Sequence, residues 1–291
     1  MQEQLKFIPL DKSHSLCLGA IDIIHGRGER FLREIDKWAY SNNNNVPIDV
    51  RAACSCARVW NDPKSSIPVG NSKTLYCLLK FAMWLKNDQR MCLVGDDLFS
   101  RETCRDPSVT KWDQKKLMTL EGGSPQWASA SVISGDKEKI YDAPYHLSLT
   151  YRAIHQWNTG KYALQLDKPI LGQSRAFQDL LKSRSTSWEP ETPEDYCFAR
   201  SFDKISLSSG RQKWPFLMCK ASNRILQMET AMSEYNQGKT ISSYDHRIVQ
   251  AIAMKSLFDS KSISFSNPTV VDKSWPSFWE FLQAVNKQSL I

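Results

Sequence analysis

The sequence has no apolar run near the roughly 18 residues that a membrane span needs, and Met1–Lys6 lacks the apolar stretch of a secretory signal. Together these exclude a membrane partner and point to a cytoplasmic protein. The sequence also has no CxxC pair and no His/Cys cluster at zinc spacing. Its eight cysteines stand at 17, 54, 56, 77, 92, 104, 197 and 219, and Cys54-Ser55-Cys56 is the one close pair. No metal site is expected from such scatter, and reduced, mostly buried thiols are. There is no Lys/Arg run and no basic-aromatic motif, although the net charge is +7. A dispersed surplus of this kind argues against nucleic acid as a partner and suits capture of small anionic substrates. No exact internal repeat is present.

What the chain does have is enough material for a core. Its 291 residues, 41% of them hydrophobic and 24% charged, suffice for one large or two moderate domains. Helical periodicity runs from about Ser15 to Tyr40, with Gly26 and Gly28 as possible breaks. It recurs over Lys73–Lys86, Ser124–Ser134, Ser148–Trp157, Ser174–Lys182, Ile225–Tyr235, Arg247–Phe258 and Ser277–Val285. Met91–Gly95, Lys161–Leu166 and Ile263–Phe265 read as strands, and Ser183–Asp195, rich in Pro, Ser, Thr and Glu, as an exposed loop. The alternation predicts an α/β layered fold. Short polar turns precede several helices, at Lys12, Asn71, Ser124, Ser174 and His246. Each turn presents backbone N–H groups at a helix start, where an anion is favoured, though any one alone reads as an ordinary cap.

Five of these segments, in order, carry a resemblance. They are Pro9-Leu10-Asp11-Lys12-Ser13-His14-Ser15, Gly70-Asn71-Ser72-Lys73-Thr74, Gly123-Ser124-Pro125-Gln126-Trp127, Tyr244-Asp245-His246-Arg247-Ile248 and Asp272-Lys273-Ser274-Trp275-Pro276-Ser277-Phe278. Weaker matches are Arg101, Ala143-Pro144-Tyr145 and Asn223-Arg224. The set resembles the enolpyruvyl transferase family, and within it a shortened, diverged enolpyruvylshikimate-phosphate synthase. The resemblance implies two lobes of βαβαββ units, the second shortened. The first lobe would span 11–163 and the second 1–10 and 164–291, with hinges near 8–12 and 161–167.

The reaction so implied moves a carboxyvinyl group from phosphoenolpyruvate to a hydroxyl of a shikimate-3-phosphate-like acid and releases phosphate. It needs no cofactor, and a monomer is expected. Both substrates are polyanions, so cations must neutralise them and the charge of a tetrahedral intermediate. By resemblance Lys12 and His246 are the catalytic candidates, His246 as a polar contact or proton-transfer partner. Lys273 suits phosphate, and Arg101, Arg224 and Arg247 suit bidentate grips on carboxylate or phosphate. Ser13 and Ser124 would donate to the acceptor's phosphate, Gln126 and Tyr145 would orient it, and Asn71 belongs to the glycine turn.

The departures from the family pattern are equally specific. Leu16 and Cys17 stand where an arginine is expected, and Lys73 replaces the second glycine of the Gly-Asn turn. Lys73 there either fills the space or supplies its own charge. Ala221 stands at the glutamate position of Lys220-Ala221-Ser222-Asn223-Arg224, and the segment bearing the family's aspartate base is missing. Glu229, Asp203 and Asp179 are substitutes that nothing singles out. With both expected carboxylates gone, acid–base work lacks an obvious group. The alternative is therefore a pseudoenzyme, or a homologue of altered chemistry, that keeps the anion-binding cleft.

Overall fold

The computed structural model describes residues 10–42, 45–100, 103–135, 147–164, 190, 193–218 and 223–288. These fall into two compact units, 10–164 and 190–288. The architecture is mixed but mostly helical, with one small parallel sheet, rather than the regular strand–helix alternation expected.

The first unit forms around α1 (Lys12–Ile24). Asp11 caps it, its carboxylate accepting from the His14 N–H at 3.1 Å. Every residue from His14 to Ile24 is buried. A helix covered on all sides belongs at the centre of a core, and α1 packs against all of the other long helices of this unit. The expected helix over 15–40 is two helices. The chain turns through His25, left-handed Gly26 (φ 72°) and Arg27 and resumes as α2 (Gly28–Ser41). Gly19 admits α2, since a Cβ there would lie 2.7 Å from the Phe31 ring.

A third helix, α3 (Ile48–Val59), precedes β1 (Ile67–Gly70), α4 (Lys73–Leu85) and β2 (Cys92–Val94). The two strands pair in parallel, Ile67 opposite Cys92 and Gly70 opposite Val94, so β1-α4-β2 is a strand–helix–strand crossover. Two four-residue helices follow, α5 (Asp96–Phe99) and α6 (Gln114–Leu117), and then α7 (Gln126–Ser134) and α8 (Ser148–Thr159). Residues 161–164, expected to begin a strand, are irregular, and 165–166 lie outside the described residues. The expected helix over 174–182 also lies outside them, as does most of the loop over 183–195, whose end, Pro193–Asp195, is a 3₁₀ turn.

The second unit repeats the plan of one buried central helix. Its elements are α9 (Tyr196–Ser201), α10 (Leu207–Lys213), α11 (Arg224–Asn236), α12 (His246–Phe258) and α13 (Phe278–Gln288). All residues of α12 from His246 to Met254 are buried. Trp214, Tyr196, Trp275, Phe278 and Phe281 fill its core. The strand expected over 263–265 reduces to a single parallel bridge, Ile241 to Phe265.

Candidate functional site

The sequence-derived candidates gather in two places, one within each unit. In the first, the turn between β1 and α4 meets the start of α7. Ser72 caps α4, its hydroxyl accepting from the Leu75 N–H at 3.4 Å. Gln126 Nε2 donates to Thr74 Oγ1 at 3.4 Å, and the Ser124 hydroxyl donates to Gln126 Oε1 at 2.6 Å. Gly70-Asn71-Ser72-Lys73-Thr74 and Ser124-Pro125-Gln126 are thus one hydrogen-bonded cluster. Behind it Trp84 of α4 stacks on Trp127 of α7, ring centres 5.4 Å apart. Asn71 packs so tightly on Gly95 that a Cβ there would lie 2.2 Å from Asn71 Oδ1, which is buried with no hydrogen-bond partner among the described residues.

Lys73 does supply a charge to this turn, but that charge is answered from within. The buried ammonium pairs with buried Glu121. Glu121 Oε1 also accepts from Trp127 Nε1 at 3.0 Å and from the Cys104 N–H at 2.9 Å. The carboxylate reaches Lys73 because Glu121, Gly122 and Gly123 are successively left-handed (φ 52°, 78° and 104°). For glycine such a conformation is free; for glutamate it costs on the order of 1 kcal/mol. Sequence reasoning passed over Glu121, although an acidic residue before a Gly-Gly pair was a signal of a chain reversal that could return it to a nearby cation.

Lys12 lies at the start of α1 and bonds Asp49 of α3 at 3.1 Å, while Ser13 is half-buried. His14, the position that follows them, is fully buried. Its Nε2 faces Gln156 Oε1 at 2.9 Å and the Ala163 carbonyl at 3.1 Å.

The second place is the start of α12. Asp245 caps this helix by accepting from the Arg247 N–H at 2.8 Å, and Arg224 Nε donates to Asp245 Oδ2 at 2.8 Å. Burial on its own would raise the Asp245 pKa. The charges of Arg224 and His246 and the hydrogen bonds to the carboxylate outweigh it and hold the group far below the usual carboxylate range. Arg247 is different. It is 6% exposed, yet its guanidinium has no hydrogen-bond or ion-pair partner among the described residues, and Nη1 is fully buried.

One turn on, Gln250 Nε2 donates to the Ser274 hydroxyl at 3.0 Å, so Asp245-His246-Arg247 and Lys273-Ser274-Trp275-Pro276 pack together. Lys273 is half-buried, with no ion-pair partner among the described residues. Arg101 and Tyr145 lie outside the described residues, as does Asp179.

The two remaining acid–base substitutes are already engaged. Arg200 grips Glu229 through Nε and Nη2 at 2.7 and 3.0 Å and reaches Asp203 at 3.2 Å. Asp49, Glu121, Asp245 and Glu229 each pair with a cation, so each of these carboxylates already answers a charge of the protein itself. Among the described residues no cluster of His, Cys, Asp and Glu could hold a metal ion, and no helix is long and apolar enough to cross a membrane. The described cysteines are free thiols, and burial pushes Cys17 and Cys197 up to about 12.

No family model, no curated protein and no solved structure matches the chain.

Proposed function

We propose that this protein binds small anions carrying phosphate and carboxylate groups, as a diverged relative of the enolpyruvyl transferases. Phosphoenolpyruvate and a phosphorylated shikimate-like acid are its candidate ligands, and carboxyvinyl transfer between them is its candidate reaction. The observation that carries this reading is Arg247. A buried guanidinium without a counter-charge is costly, and the arrangement makes sense if an incoming carboxylate or phosphate completes it. Half-buried Lys273, on the turn that packs against the same helix, offers a second positive charge. The β1-α4-β2 crossover and the division into two units are compatible with a reduced two-lobed fold of this type.

A second reading has its own support. Because the candidate carboxylates among the described residues, Asp203 and Glu229, are ion-paired, the protein would hold its ligands without the proton transfers that turnover needs.

A thermal-shift screen with phosphoenolpyruvate and shikimate-3-phosphate, singly and together, tests the binding. At a ligand concentration about 100 times Kd, binding stabilises the fold by about 2.7 kcal/mol, a clear rise in Tm. Arg247→Met removes a buried, unpaired charge, so it should abolish this rise while leaving the ligand-free Tm unchanged or higher. No rise with either ligand or with the pair would sink the proposal. A rise accompanied by phosphate release supports transfer, and a rise without it supports binding alone.

A further inference from the structure

A cavity of about 460 Å³ opens in the first unit between α4, β2 and its preceding residues, α5 and Arg105. It is separate from the Lys73–Glu121 cluster, and none of the five motifs lines it. Its walls combine three aromatic rings, Tyr76, Trp84 and Phe99, with three cations, Lys80, Arg90 and Arg105. Among the described residues, no Asp or Glu lines it. Burial pushes the Tyr76 phenol up to about 12 and also raises the Cys92 thiol, so at neutral pH neither adds negative charge.

The three cations are not equivalent. Arg90 is committed: it pairs with Asp88 at 2.7 Å and donates to the Trp60 and Asp62 carbonyls, each at 2.8 Å. Lys80 and Arg105 have no carboxylate partner among the described residues. Each instead lies over a ring, Lys80 5.7 Å from the Trp84 centre and Arg105 5.0 Å from the Phe99 centre. A cation on an aromatic face keeps its charge unneutralised while losing part of its hydration. Phe99 is 64% exposed, an unfavourable state for a ring that a flat ligand would relieve. The volume lies in the range of small-ligand sites, and the mix of aromatic wall and few polar anchors is typical of them.

We infer that this cavity binds a planar aromatic ring carrying an anionic group, a ligand of about mononucleotide size. The rings supply stacking surface, and Lys80 and Arg105 receive the phosphate or carboxylate. This site is independent of the anion reading at α12, which lies in the other unit.

Isothermal titration with two probes tests it: adenosine 5′-monophosphate for a nucleotide, and indole-3-acetate for an aromatic carboxylate. Adenosine and inorganic phosphate serve as the two half-ligands. Saturable binding of at least one aromatic anion is expected, and its identity separates the two sources. Lys80→Ala/Arg105→Ala and Phe99→Ala should each weaken it about tenfold or more. These side chains are half-buried or exposed, so circular dichroism should show the fold retained. Arg247→Met should leave this binding unchanged, which separates its failure from that of the α12 reading. The inference is overturned if neither aromatic anion binds at millimolar concentration. It is also overturned if a half-ligand binds as tightly as the whole, or if the variants bind like the parent protein.

Discussion

His14 carries one proton that the fold places by geometry. Its Nε2 faces two acceptor oxygens, Gln156 Oε1 and the Ala163 carbonyl, so the proton sits on Nε2. Nδ1 is then a lone pair, buried with no hydrogen-bond partner among the described residues. Protonating it would set a charge in a site that is 0% exposed. Burial therefore lowers the His14 pKa from its ordinary 6.5; Asp11 and the bonds to Gln156 and Ala163 oppose this, and Arg152 adds slightly to it. The sign for stability follows. Below about pH 6.5 the unfolded chain takes up a proton that the folded chain refuses, so stability falls as pH drops from there toward the folded pKa. Tm should decline between about pH 7 and 5, and His14→Gln should flatten that decline. An unchanged slope in the variant would show that another group titrates.

Two helix starts show how much a cap is worth in different settings. Ser72 makes a single long bond, at 3.4 Å, to the Leu75 N–H of α4, so Ser72→Ala should cost about 0.5–1 kcal/mol. Asp245 caps α12 and also answers Arg224. Asp245→Ala removes both the cap and the partly buried ion pair with Arg224, so a cost of about 3 kcal/mol is expected. Urea denaturation of the two variants measures the difference, and equal costs would mean that the Arg224 pair contributes nothing.

Such caps also explain what the sequence made legible. The helices beginning at Lys73, Arg224 and His246 announce themselves by an Ser, Asn or Asp cap followed by apolar periodicity, and the expected spans lie within a few residues of the observed ones. The break at Gly26 was foreseeable because only glycine takes that turn at no cost. Elsewhere the signal was weak. Helix α3 buries small residues, Ala53, Cys54, Cys56 and Ala57, which give little amphipathic contrast. Strand β1 is four residues long and includes Pro68, so neither alternation nor propensity marks it. For the candidate site, the residue types and their order were readable, but their pairing was not. Nothing local to Lys73 says that Glu121 returns to neutralise it, because that contact depends on three consecutive left-handed residues far along the chain.

At the scale of the whole molecule, the two units hold separate hydrophobic cores, one drawn from Leu10 to Leu164 and the other from Tyr196 to Val285. In the second, Trp275 is 1% exposed, stacked on Phe281 with ring centres 5.0 Å apart and tilted against Phe278 at 5.2 Å. It also anchors the turn that meets α12, so the candidate anion site depends on it. Truncating a buried tryptophan loses its transfer free energy and leaves a cavity, together about 3–5 kcal/mol. Trp275→Ala should therefore speed amide exchange throughout α12 and α13. The buried amides of α1 and α4, whose side chains pack in the other core, should keep their protection, because stability is distributed by cooperative unit rather than evenly along a chain. Native-state hydrogen exchange on the variant reads both units in one experiment. If protection in α1 falls as far as in α12, the two cores unfold as one cooperative unit.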